Sequence, residues 1–159
     1  MSMTQSVSMT VNGEDVTATV PVRKHLVDFL REDVGLTGSH VGCEHGVCGA
    51  CTLEVNGTMV RGCLMLAVQA DGGKVTTVEG LAESGRSDAL RAAFAHRNAL
   101  QCGYCTPGML ASALAYIEGG GSADRDAIRA YLSGNYCRCT GYQSIVDAVC
   151  DVVEGRAGA

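Results

Sequence analysis

Eight of the chain's nine cysteines fall into two groups of four, Cys43, Cys48, Cys51 and Cys63, then Cys102, Cys105, Cys137 and Cys139. Nothing else in the sequence restricts the fold as strongly, because thiolates that ligate one centre must be carried to a common point by the backbone between them. The first group is spaced C-x4-C-x2-C with a more distant fourth member, the pattern that holds a plant-type [2Fe-2S] cluster. The second is C-x2-C, a long gap, then C-x-C. Structural zinc also takes four cysteines, but usually from two C-x2–4-C knuckles, so the first spacing favours iron-sulfur while the second by itself leaves both metals open. Disulfides fit poorly, since the count is odd and pairs one or two residues apart are more often metal or redox motifs than structural bridges.

The 159 residues leave room for one medium domain or two small ones. Small domains bury proportionally less surface, so each half gains from a metal that cross-links it. A net charge of -5 without a basic stripe argues against a nucleic-acid partner. No apolar run approaches the roughly 20 residues that span a bilayer. The opening Met1-Ser-Met-Thr-Gln-Ser lacks the basic segment and apolar core of a secretory signal, and a cytoplasmic location is expected. Glycine, at 21 residues, is about twice its usual share of roughly 7%. Much of that excess surrounds the cysteines, where the backbone must curl to turn thiolates and amides inward.

Val7, Met9 and Val11 alternate with polar residues, Asn12-Gly13 supplies a turn, and Val16, Ala18 and Val20 alternate again, which reads as a hairpin. Leu26, Phe29 and Leu30 then switch to helical spacing on a short helix entered from Pro21 and ended near Gly35. After the first cysteine loop, residues 52–55, Asn56-Gly57 and residues 58–61 make a second hairpin with Cys63 just beyond it. The run 64–68 is ambiguous, and residues 74–79, entered through Asp71-Gly72-Gly73, read as a further strand. From Gly80 the pattern turns helical. Leu81 to Ser87 reads as a linker, with Ser87 capping a helix that carries Leu90 and Phe94. A second helix runs from Pro107 to Glu118 and stops at Gly119-Gly120-Gly121; a third carries Ile128, Tyr131 and Leu132 and ends at Gly134. The last carries Ile145, Val146, Val149, Val152 and Val153 as an apolar stripe. The expectation is an α+β chain, a sheet domain over residues 1–80 followed by a four-helix bundle over residues 81–159.

In the first loop, Gly42, Gly46 and Gly49 let main-chain N–H groups approach the sulfurs, and such hydrogen bonds raise a cluster's reduction potential. The second group's pairs stand before the second and fourth predicted helices, whose N-termini stabilise thiolates. Taken with their neighbours, the motifs Gly42-Cys-Glu-His-Gly-Val-Cys-Gly-Ala-Cys51, Leu100-Gln-Cys-Gly-Tyr-Cys-Thr-Pro-Gly-Met109 and Gly134-Asn-Tyr-Cys-Arg-Cys-Thr-Gly-Tyr142 make the chain resemble the small iron-sulfur subunit of the molybdenum hydroxylases. That family includes xanthine dehydrogenase, carbon monoxide dehydrogenase and bacterial aldehyde and N-heterocycle dehydrogenases, and the resemblance covers nearly the whole chain.

The resemblance implies an N-terminal ferredoxin-like β-grasp domain and a C-terminal four-helix domain, each with one [2Fe-2S] cluster. It implies a non-catalytic subunit of a molybdopterin-dependent oxidoreductase. The implied partners are a large molybdopterin-binding catalytic subunit, its pterin a cytosine dinucleotide, and a medium FAD-binding subunit, in a dimer of heterotrimers. Electrons would pass singly from molybdenum through the helical-domain cluster, then the sheet-domain cluster, to FAD. Gln101, Cys102 and Cys139 would lie against the pterin, and no residue here would bind substrate. A free-standing two-cluster ferredoxin, which needs no Gln101-Cys102 motif, and a colourless zinc-stabilised module are the alternatives.

Outside the two groups, Cys150 reads as a buried inert thiol on the last helix. His45 is not needed as a ligand, because the cysteine set beside it is complete. His25, His40 and His96 read as surface or packing residues. Tyr104, Tyr136 and Tyr142 read as packing around the second group before a shield for its cluster or a face toward the pterin subunit, and Arg138 as a local charge balance or a contact to a partner's acidic or phosphate group.

Overall fold

The first hairpin forms as its alternation requires. Strands β1 (Thr4–Val11) and β2 (Glu14–Pro21) pair antiparallel, with Val7 opposite Ala18 and Met9 opposite Val16. Asn12 and Gly13 between them both have positive φ, 51° and 90°, the turn whose twist matches that of the strands. Helix α1 (Leu26–Glu32) buries Leu26, Phe29 and Leu30 in one core with Val7, Val11 and Leu53. Strands β3 (Thr52–Val55) and β4 (Thr58–Arg61) form the second hairpin, and β5 (Lys74–Thr76) inserts between the two hairpins. The strand order is β2-β1-β5-β3-β4, with β5 parallel to β1 and antiparallel to β3. This ferredoxin-like mixed sheet belongs to a computed structural model that describes residues 3–156. The first two and last three residues, the extreme ends of the expected units 1–80 and 81–159, lie outside it.

Two expectations need correction. The strand expected over 74–79 stops at Thr76, because Asn12 captures the next residue: Thr77 N–H donates to Asn12 Oδ1 at 2.9 Å and Asn12 Nδ2 donates to Thr77 Oγ1 at 3.0 Å. The segment expected as a linker begins inside a helix, α2 (Val78–Glu83), whose Leu81 is fully buried among the helical residues. Gly80 suggested a break, yet it is where α2 meets the hairpin turn; a Cβ there would lie 2.2 Å from Asn12 Oδ1. The ambiguous run 64–68 exposes Leu64 and enters a short 3-10 turn, Ala67–Ala70.

Helices α3 (Asp88–His96), α4 (Thr106–Glu118), α5 (Arg125–Tyr131) and α6 (Gln143–Val153) make up the rest. Helix α6 packs against α3, α4 and α5, and Leu90, Phe94, Met109, Ile128, Ile145 and Val149 fill the core between them. Ser87 precedes α3 but does not cap it, because its buried hydroxyl donates back to Leu81 O at 3.1 Å. Asp124 does cap α5, accepting Asp126 N–H at 2.9 Å. Among the described residues no helix is long and apolar enough to cross a membrane.

Candidate metal centres

Cys51 immediately precedes β3 and Cys63 follows β4 by two residues, so the register that pairs Thr52 with Arg61 carries both to one end of the hairpin. Gly62 N–H donates to Cys51 O at 3.1 Å and closes that end, and the two side chains are buried. Cys43 and Cys48 lie on the loop in front. Positive φ at Glu44, Gly46 and Gly49 curls this loop, and the N–H groups of His45 and Cys48 each point at Cys43 Sγ from 3.4 Å. Gly46 has φ 73°, a conformation that a side chain there would strain. The Cys48 and His45 amides hold the Cys43 thiol down at about 6, while burial pushes the Cys51 thiol, beside Cys63, up to about 12.

The second group is assembled by helix packing. Cys105 is the N-cap of α4, with Cys102 one turn earlier, while Cys137 and Cys139 lie in the turn before α6. Because α4 and α6 pack together, these turns meet. Cys139 Sγ is 3.5 Å from Cys102 Sγ, and Cys105 sits against Cys137. The Tyr104 amide holds the Cys102 thiol below its ordinary value, and burial pushes Cys105 up to about 12. Burial also acts to raise Cys137, but the hydroxyl and amide of Thr140, with the Cys139 amide and the Cys105 thiol, outweigh it together and the thiol is lowered.

All nine cysteines are free thiols. Within each group they stand in pairs, Cys43 with Cys48 and Cys51 with Cys63, then Cys102 with Cys139 and Cys105 with Cys137. Among the described residues no three His, Cys, Asp or Glu side chains close on a single ion position. Two pairs of thiolates suit a centre with two irons, each taking one pair. Thr106, next to Cys105, has a buried hydroxyl with no partner, the kind of donor that a sulfide-bearing cluster would satisfy. The donor sets therefore fit [2Fe-2S] groups.

Gln101 and Cys102 are exposed and Cys139 is half-buried, so the three expected pterin contacts share an accessible edge beside exposed Leu100. Arg138 is exposed. His45 turns its Nδ1–H to the Cys43 carbonyl rather than toward the thiols. Cys150 is buried outside both groups, with Sγ–H toward Ala123 O at 3.4 Å.

Of the residues that join the two groups, His40, Tyr104 and Tyr136 were expected chiefly as surface or packing residues, and Asn135 was not singled out from the sequence. His40 and Tyr104 stack with ring centroids 4.7 Å apart, Tyr104 Oη donates to Val41 O at 2.7 Å, and His40 Nδ1–H donates to Tyr104 O at 2.8 Å. Asn135, only 3% exposed, donates from Nδ2 to Gly49 O at 3.2 Å and Gly108 O at 3.1 Å. Its position inside the motif before Cys137 was the one available signal. Tyr136, whose ring is largely exposed, donates its main-chain N–H to Cys48 O at 2.8 Å. A residue adjoining one thiol group is thus bonded directly to a cysteine of the other.

Two family models divide the chain, a 2Fe-2S iron-sulfur cluster binding domain over residues 9–82 and a [2Fe-2S] binding domain over residues 77–150. The gamma subunit of caffeine dehydrogenase from Pseudomonas sp. (strain CBB1) is 51% identical over 147 residues, covering 90% of this chain and 87% of that one. The small subunit of nicotine 6-hydroxylase from Paenarthrobacter nicotinovorans is 50% identical over 145 residues, covering 91% and 87%. The crystal structure of quinoline 2-oxidoreductase from Pseudomonas putida 86 contains a chain that matches with a TM-score of 0.90 and 48% identity over 96% of both chains. With two thiol groups, two [2Fe-2S] domain families in the same order and such relatives along almost its whole length, the chain belongs to the small iron-sulfur subunits of the molybdenum hydroxylase family.

Proposed function

We propose that this subunit carries single electrons from a molybdopterin centre in a large catalytic subunit toward FAD in a medium subunit, with one [2Fe-2S] cluster held by each thiol group. Cys43, Cys48, Cys51 and Cys63 hold the first, and Cys102, Cys105, Cys137 and Cys139 hold the second. The observation that carries the reading is the 2.8 Å hydrogen bond from Tyr136 N–H to Cys48 O, which joins the two ligand sets through main chain alone. A [2Fe-2S] cluster supplies one-electron storage, and the chain fixes its place, buries one side and tunes it through donors to sulfur.

The direction is the one the resemblance implies, and each group has an exposed edge to serve it. Gln101, Cys102 and Cys139 form the accessible edge of the second group and are read as the contact with the pterin, taken to be a cytosine dinucleotide. Val47 and Leu64, exposed beside the first group, suit contact with the flavin subunit. In this reading the halves are a sheet domain over 1–80 and a four-helix bundle of α3 to α6 within 81–159, with α2 at the junction. In the same reading the complex is a dimer of heterotrimers in the cytoplasm. The relatives named above belong to enzymes named for caffeine, nicotine and quinoline, so a nitrogen heterocycle is the substrate class to test first.

Native purification through a tag on this chain, with mass spectrometry and metal analysis of one fraction, tests the proposal. A molybdenum-bearing large subunit and a flavin-bearing medium subunit are expected. The chain alone with full iron would favour the free-standing ferredoxin, and a colourless zinc protein would overturn both readings.

A further inference from the structure

We propose that the hydroxyl of Thr140, oriented by the main-chain amide of Tyr142, is a positioning donor to Cys137 that sets the potential of the second cluster. The inference rests on the reading above in which Cys137 is a cluster ligand. Thr140 Oγ1 lies 3.1 Å from Cys137 Sγ, and Thr140 N–H approaches the same sulfur at 3.5 Å. A hydroxyl has one proton to give and lone pairs to accept with. Tyr142 N–H donates to Thr140 Oγ1 at 3.2 Å, which occupies a lone pair. An iron-bound thiolate has no proton to offer, so the Thr140 proton goes to sulfur.

The backbone is arranged to keep this geometry. Tyr142 has φ 68° and Gly141 before it φ 66°, and a bulky side chain adopts the left-handed region only where its surroundings hold it there. What holds it is Tyr142 Oη, which accepts Cys137 N–H at 2.9 Å while the Tyr142 amide engages Thr140. One strained residue therefore grips both ends of the Cys137–Thr140 contact. The first group is built differently: Cys43 Sγ receives main-chain N–H donors from His45 and Cys48. Among the described residues Thr140 supplies the one side-chain hydroxyl bonded to a thiol of either group. A donor to ligand sulfur stabilises the reduced, more negative cluster over the oxidised one and so raises the potential.

EPR-monitored redox titration of the intact holo-complex tests this with Thr140→Val and Thr140→Ser. Thr140→Val is expected to retain its iron and both [2Fe-2S] signals, with the second cluster harder to reduce by about tenfold, which is about 59 mV for a one-electron couple. The first cluster's midpoint should not move, and Thr140→Ser should stay near wild type. Midpoints unmoved in Thr140→Val, both midpoints moved alike, or Thr140→Ser behaving as Thr140→Val would each overturn the proposal. If Thr140→Val loses the second cluster, Thr140→Ala deletes the same hydroxyl without pressing a methyl group against Cys137 Sγ, 3.1 Å from the oxygen it replaces. Loss of iron there as well would make the residue a structural one and overturn the tuning role. The underlying ligand assignment is read separately in Cys137→Ala, which offers iron no donor atom and where a persisting second signal would refute it whatever the Thr140 variants do.

Discussion

Asn135 shows how much of this molecule depends on single side chains placed between its two thiol groups. Its one amide nitrogen serves two main-chain carbonyls, Gly49 O beside the first group and Gly108 O in α4. Asn135→Ala removes both bonds, although Gly49 O keeps its donors from Thr52, and a loss of about 0.5–1.5 kcal/mol per bond is expected in chemical denaturation; an unchanged midpoint would contradict the role. A second residue-scale prediction concerns Asp151, which accepts from Arg97 at 2.5 and 2.8 Å and whose carboxyl is held below its ordinary 3.8 by that guanidinium. A depressed folded value means that the pair's stabilisation is complete above the unfolded value and disappears as pH falls through the lower folded one. Asp151→Asn should therefore melt below wild type at neutral pH, with the gap closing below the ordinary carboxylate value of 3.8. A gap that stays constant into that range would refute the linkage. Spacing picked out the eight cysteines as two groups, because most members of each stand within a few residues of the next, but for the second group it left zinc and iron-sulfur open. It could not reveal Asn135 or the His40–Tyr104 stack, whose partners lie 86, 27 and 64 residues away.

At the scale of elements, the decisive packing is that of α4 on the first cysteine loop. Gly108 allows it: a Cβ there would lie 2.0 Å from Gly49 O, a main-chain atom that cannot rotate away. Gly108→Ala should push α4 off the loop and cost about 1–3 kcal/mol or more. The same shift should weaken magnetic coupling between the two reduced clusters in the complex, and unchanged stability and coupling together would contradict the contact's importance. Most elements were readable in advance, because both hairpins carry Asn-Gly turns between alternating residues and α3 to α6 carry apolar residues at helical spacing. Helix α2 was not, since it is six residues long and carries Gly80, whose bare α-carbon looks like a break but serves to admit Asn12. Strand β5 was overextended for the same reason, as a tertiary hydrogen bond from Asn12 ends it.

For the whole molecule, two small cores are fastened into one conduit. Arg86 reaches Glu54 on β3 at 2.9 Å and Glu118 on α4 at 2.7 Å, Arg61 Nη2 reaches Gly134 O at 2.8 Å, and Tyr136 N–H reaches Cys48 O at 2.8 Å. These contacts keep the thiol groups at a fixed separation, as an electron-transfer subunit requires. The exposed edge at Gln101, Cys102 and Cys139 and the apolar edge at Val47 and Leu64 leave an outward-facing side at each group. The central claim is that each group holds its own [2Fe-2S] cluster. It is tested most directly by EPR of the dithionite-reduced complex carrying Cys48→Ala, which removes the thiolate and puts no donor atom in its place. One of two [2Fe-2S] signals should disappear, while the other keeps its intensity and the molybdenum content is unchanged; two undiminished signals would contradict the account.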